Sequence, residues 1–228
     1  MPLHSITPLA SGPLLGLWHL TETPAALWPQ LAEAAAYAPL LPARADGPRQ
    51  AQWLAGRVLV QLLLATRGAP LAMLRNDENG RPFLAGPPAL PAVSLSHSGE
   101  WVVALLAPPG AAVGIDVELV RDKARRIARK FLNEEELAAS ETITLAGSPE
   151  AGPSLELFSL LWSAKETLYK LAGQRGLIFR ETLLLDLPAG TWPLPGTLPA
   201  RLQLNGTSSR HQICYLRPAA GYVLTYCC

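Results

Sequence analysis

The alternation of apolar and polar positions divides the chain into strands and helices. LGLWHL (15–20) reads as a first strand, and residues 24–36 as an Ala-rich helix. Residues 48–68 carry Trp53, Leu54, Val58, Leu59, Leu62 and Leu63 at helical spacing, which predicts a long helix ending at Gly68. NDENGRPFL (76–84) is a turn leading into a short strand. AVSLS (92–96) alternates as a strand, HSG makes a tight turn, and EWVVALLA (100–107) is apolar enough for a buried strand.

APPGAA (107–112) reads as a linker, and GIDVE (114–118) opens a second half. Residues 122–139 are a charged helix or helix pair, and 144–154 a loop. On residues 155–173, Leu157, Leu160, Leu161, Ala164, Leu168 and Leu171 fall on one arc at ~100° per residue, the core face of a strong helix. Strands follow near 177–186, 200–204, 211–217 and 221–227. Each half has a long helix containing a tryptophan (Trp53, Trp162), and each closes in an apolar strand, GEWVVALLA or GYVLTYC. The expected fold is α+β: two similar α/β lobes, residues 1–110 and 111–228, packed pseudo-symmetrically with GIDVE at the seam, where ligand sites often form.

Bulk properties exclude several classes. A chain of 228 residues can bury a real core, and 49% hydrophobic with 16% charged residues describes a globular protein. A net charge of +1 gives no basic stripe for nucleic acid. Cys214, Cys227 and Cys228 form no even disulfide framework and no zinc spacing, so reduced thiols in the cytoplasm are expected. The start of the chain lacks a basic segment followed by a long apolar one, and no apolar run approaches the ~18 residues of a membrane helix. No secretion signal and no membrane partner are expected.

The chemistry begins at GIDVE. In a strand Asp116 and Glu118 point the same way, while Ile115 and Val117 point into a core. Two like charges on a half-buried face repel unless a cation neutralises them, and Mg²⁺ takes one or two carboxylates with water and substrate phosphates. The solvated face of an edge strand is the competing reading. On the 155–173 helix, Glu166 and Lys170 lie four apart opposite the core face, flanked by Trp162 and Tyr169. They read either as a surface ion pair or as a third metal ligand with a phosphate contact. Ser96-His97-Ser98-Gly99 is a polar hairpin tip or an anion-holding turn, and Arg81, Arg49 and Arg57 add cations. There is no Walker loop and no GxGxxG, so any phosphate is held by scattered side chains.

In order, NGRPF, SLSHSG, GIDVE and LLWSAKETLYK resemble the Sfp-type 4′-phosphopantetheinyl transferases, from about residue 45 to residue 185. The resemblance implies a pseudo-dimer of two α+β lobes in one chain, acting as a cytoplasmic monomer with coenzyme A in the cleft between the lobes. It implies a holo-[acyl-carrier-protein] synthase, which moves the 4′-phosphopantetheine arm of coenzyme A onto a serine of an apo acyl or peptidyl carrier protein. Adenosine 3′,5′-bisphosphate is released. By motif matching, Asp116, Glu118 and Glu166 are the expected Mg²⁺ ligands, with Mn²⁺ as the alternative ion. Lys170 and Lys165 are the expected pyrophosphate contacts, Ser96 and His97 the coenzyme A phosphate loop, and Arg81 a nucleotide neighbour. Arg57 and Arg49 are expected at the 3′-phosphate, with Arg44 as a further substitute for lysines that better-known members carry. Asp116, Glu166 and Lys170 are the expected catalytic groups. Glu166 and a metal-bound water are the two candidates for the base.

Carriers in such systems are acidic. The run KARRIARK (123–130) is therefore an expected docking helix with Phe131 and Leu132 as apolar anchors, against the alternative of a solvated amphipathic helix. Two other functions use the same residues: a metal-dependent phosphohydrolase, and a coenzyme A- or nucleotide-binding module without turnover.

Overall fold

The computed structural model describes residues 3–42, 47–87, 89–147 and 154–228. It divides into two compact units, one running to Val113 and including Cys228, the other Gly114–Cys227. Arg44 and part of the 144–154 loop lie outside the described residues.

In the first unit, β1 (Leu3–Pro8) and β2 (Leu14–His19) precede two short helices, α1 (Pro24–Leu27) and α2 (Ala34–Tyr37). The single helix expected over 24–36 is broken. Each short helix passes into a 3₁₀ turn, Trp28–Gln30 and Ala38–Leu40. Pro29 and Pro39 sit in those turns, and proline has neither an amide hydrogen to donate nor room for the preceding helical carbonyl. Helix α3 (Gly47–Arg67) forms as its periodicity predicts, with Leu54, Leu59 and Leu63 fully buried.

β3 (Met73–Asn76) and β4 (Pro82–Ala85) make a separate hairpin, and β5 (Ala92–Ser98) and β6 (Trp101–Ala107) complete a four-stranded antiparallel sheet in the order β1-β2-β6-β5. α3 packs on this sheet over Gly16, where a Cβ would stand 2.9 Å from Leu59 and 3.2 Å from Leu63. Val102, Ala104 and Leu106, alternate residues of β6, join the core with α3.

The second unit begins with β7 (Gly114–Leu119), followed by three short helices, α4 (Asp122–Arg126), α5 (Ala128–Phe131) and α6 (Glu134–Ser140). Strand β8 (Ile143–Leu145), helix α7 (Leu155–Ala172), helix α8 (Phe179–Thr182) and strands β9 (Leu183–Leu185), β10 (Gly190–Trp192), β11 (Gly196–Leu204), β12 (Thr207–Leu216) and β13 (Tyr222–Cys227) complete it. The main sheet is antiparallel, in the order β7-β13-β12-β11-β9, and β8 pairs with β10 in parallel. The predicted arc of α7 is the observed one: Leu157, Leu160, Leu161, Ala164 and Leu168 are fully buried in this unit's core. Ser154 caps α7 through Leu157 N, and Gly173 ends it in the left-handed region at φ 63°. Among the described residues, no helix is long and apolar enough to cross a membrane.

Candidate functional site

The acid-bearing face of β7 is the one that α7 covers. Gly114 permits the approach, because a Cβ there would collide with the backbone carbonyl oxygen of Thr167. Buried hydroxyls fasten the two elements: Ser163 Oγ lies 3.3 Å from Asp116 O and 2.9 Å from Thr225 Oγ1, and Thr167 Oγ1 donates to Thr225 O at 3.1 Å. Thr225 pairs with Asp116 across β13 and β7.

Asp116 is 4% exposed, so the solvated edge-strand reading fails for it. Lys170 Nζ donates to Asp116 Oδ1 and to Ile115 O, both at 2.8 Å. Glu118 Oε1 accepts the Trp162 indole N–H at 2.9 Å. Trp162 is itself wedged by Phe131, edge to face at 5.1 Å, and by Phe179, stacked at 5.6 Å. An aromatic box thus fixes the indole that fixes the carboxylate. The sequence pattern placed Trp162 on the correct face but did not reveal this bond.

Glu166 is half-buried on the same side of α7. Desolvation, with Asp116 and Glu118 adding repulsion and Lys170 opposing them, pushes its pKa up to about 7. Three acids and one lysine therefore share one field. Among the described residues, no three His, Cys, Asp or Glu side chains form a ready cage for a metal ion. The donor set still fits a hard cation. It is carboxylate oxygen throughout, Mg²⁺ completes its shell with water and phosphate, and the charges of Asp116 and Glu118 add to the burial that raises the Glu166 pKa.

Lys165, expected at pyrophosphate, is corrected by its surroundings. It is fully buried, and its Nζ donates to Glu136 Oε1 at 2.7 Å and Oε2 at 2.8 Å, and to the carbonyl of Leu183. Burial pushes its pKa down, and Glu136 opposes that shift. Arg57 is also turned inward. It is 7% exposed, its guanidinium carbon lies 3.3 Å from the Trp53 ring centre, and Nη1 donates to Trp53 O at 3.0 Å. Burial lowers its pKa to about 10, which leaves it charged at neutral pH. The stacking and the Nη1 bond leave Nε buried without a hydrogen-bond partner in the structure.

Ser96, His97 and Ser98 all belong to β5, and only Gly99 and Glu100 form the turn, with Gly99 at φ 54°. The expected HSG turn, 97–99, therefore starts two residues later and ends one residue later than expected, with the positive φ at the first of its two residues. Ser96 is half-buried and His97 exposed. Arg81 and Arg49 are exposed, and Arg81 N is held by Asp77 Oδ1 at 2.9 Å. Phe131 and Leu132, expected as docking anchors, are each 1% exposed and belong to the core, whereas Lys123, Arg125, Arg126, Arg129 and Lys130 are exposed.

A sequence profile described as the 4′-phosphopantetheinyl transferase superfamily matches residues 112–227, the stretch that contains β7 and α7. The chain is 31% identical over 176 residues to 4′-phosphopantetheinyl transferase psf-1 of Bacillus pumilus, covering 73% of this chain and 72% of that protein. It is 34% identical over 131 residues to 4′-phosphopantetheinyl transferase AcpT of Escherichia coli (strain K12), covering 56% of this chain and 60% of that protein. For AcpT of Salmonella typhi the figures are 37% over 131 residues, 56% and 62%. The matched stretch thus spans about three fifths of the length of the AcpT relatives. The chain belongs to the 4′-phosphopantetheinyl transferase superfamily.

Proposed function

We propose that this chain transfers the 4′-phosphopantetheine arm of coenzyme A to a serine of an apo acyl or peptidyl carrier protein, releasing adenosine 3′,5′-bisphosphate. The observation that carries the reading is the Lys170–Asp116 bond at 2.8 Å, beside Glu118 and a Glu166 whose pKa stands near 7. A lysine and three carboxylates fixed on one strand and one helix suit a reaction that gathers and releases phosphate charge.

Asp116, Glu118 and Glu166 would hold Mg²⁺ or Mn²⁺, which when bound supplies charge neutralisation and orientation of the pyrophosphate. Glu166, half-buried on α7 beside Asp116 and Glu118, takes the proton from the carrier serine. The serine oxygen forms a bond to the β-phosphorus, and the bond from that phosphorus to the bridging oxygen breaks. Lys170 stands by the bridging oxygen as it takes up the electron pair and leaves with adenosine 3′,5′-bisphosphate. Ser96, His97, Arg49 and Arg81 are the proposed contacts for the nucleotide end of coenzyme A. The five exposed cations between 123 and 130 receive the acidic carrier. The chain works in the cytoplasm as a monomer of two similar lobes.

The test is mass spectrometry of an apo carrier protein incubated with this protein, coenzyme A and Mg²⁺, with an EDTA control. The expected result is a gain of one phosphopantetheine mass that EDTA abolishes. Coenzyme A consumed with no gain on any carrier indicates hydrolysis instead. Coenzyme A bound and left intact indicates a binding module.

A further inference from the structure

One densely bonded ionic group of the second unit lies outside the site's acids. Glu136 accepts the Lys165 ammonium on both oxygens, the Asn133 amide at 2.9 Å and the Leu185 amide at 2.7 Å. The first amide is the N-cap of α6, where Asn133 and Glu136 form a capping box, and the second lies in β9. Lys165 adds bonds to the carbonyls of Leu183 and Phe179. One buried ion pair therefore ties α7 to α6, β9 and α8.

Its place on α7 gives this pair a second consequence. Successive helix residues are about 100° apart, so Lys165 and Thr167 point to nearly opposite sides, with Glu166 between them. On one side Ser163 and Thr167 bond to β7 and β13. On the other, Lys165 bonds to Glu136. Buried ion pairs of this kind contribute little net stability over an apolar pair; this one has bonds aimed at fixed points on α6, β9 and α8.

We propose that Lys165 and Glu136 are positioning residues, which grip α7 from the side opposite Ser163 and Thr167 and so set the rotation that stands Glu166 beside Asp116 and Glu118. The consequence for transfer rests on the function proposed above, whereas the grip itself does not.

The test separates the two. Lys165→Met combined with Glu136→Gln removes both charges and leaves one side-chain carbonyl oxygen, which can accept from Asn133 N or from Leu185 N but not from both. Trp162 shares its face with Glu166, one turn earlier, so its indole N–H reports the rotation through its bond to Glu118. The Trp162 indole resonance, assigned with Trp162→Phe, is expected to move in the double variant although unfolding stays cooperative. In the transfer assay kcat should fall by about 100-fold, with KM for coenzyme A unchanged. A resonance left in place overturns the grip. A resonance that moves with kcat unaltered overturns the link to catalysis. If the parent protein modifies no carrier, the functional reading fails and the resonance alone decides the grip. Should the double variant not fold, Glu136→Gln alone carries the same readouts, with a smaller shift expected.

Discussion

Gly114 and Thr167 lie so close that a methyl group on the first would overlap the backbone carbonyl oxygen of the second. The contact is between strand and helix backbones, so no side-chain rotation relieves it. Gly114→Ala must push α7 away from β7 and weaken the Ser163 and Thr167 bonds to that sheet. The expected loss is at least about 1–3 kcal/mol, the usual cost of overpacking. The urea midpoint measures it, and a midpoint equal to that of the parent protein would show that the two elements are less rigidly joined than described.

Lys170 bridges a backbone carbonyl and a buried carboxylate, and Lys170→Met leaves Asp116 without its countercharge. Transfer should fall about 10²–10³-fold, the range seen when one preorganised charge-stabilising donor is removed. Lys170→Arg should restore little, because a planar fork cannot reproduce a compact ammonium aimed at both oxygens. Steady-state rates with coenzyme A and carrier decide the matter. Full activity in Lys170→Met would remove this residue from the chemistry.

Glu166 makes the metal-free protein pH-dependent with a definite sign. Its folded pKa of about 7 lies above the ordinary 4.5, so between those values the folded state binds more protons than the unfolded one. Stability from this group is full below pH 4.5 and declines as pH rises through 7. The shift corresponds to about 3 kcal/mol. Thermal melts in EDTA at pH 5 and pH 8 should differ in that direction, Glu166→Gln should flatten the difference, and millimolar Mg²⁺ should restore stability at pH 8. The same variant should not transfer the arm. A Gln variant with an unchanged melting profile would count against the shared field of the three acids.

Much of this site was legible because its signals are local. The alternation of GIDVE puts Asp116 and Glu118 on one face, and the spacing on α7 puts Trp162, Glu166 and Lys170 on one side; both depend only on neighbouring residues. Glu136 and Lys165 are 29 positions apart, and apolar periodicity does not mark a buried ion pair. Phe131 and Leu132 looked like exposed anchors beside a basic run, yet three short helices in place of one or two turn both into the core. Strand β1, with its mixed burial, gave no apolar alternation strong enough to be read. Pro29 lies inside the Ala-rich stretch 24–36 and interrupts it, whereas Pro39 lies beyond that stretch.

With Phe131 and Leu132 buried, docking on the α4–α5 surface rests on charge. Lys123, Arg125, Arg129 and Lys130 are exposed, and Arg126 is partly neutralised by Asp122 at 2.9 Å. Surface charges act mainly on encounter and are screened over about 8 Å at physiological salt and about 3 Å at 1 M. Arg125→Glu with Arg129→Glu should therefore raise KM for an acidic carrier several-fold at low salt and leave KM for coenzyme A alone. The difference from the parent protein should shrink as salt is raised, because the interaction lost is a screened one. A carrier KM that ignores both the reversal and the salt would move docking to another surface.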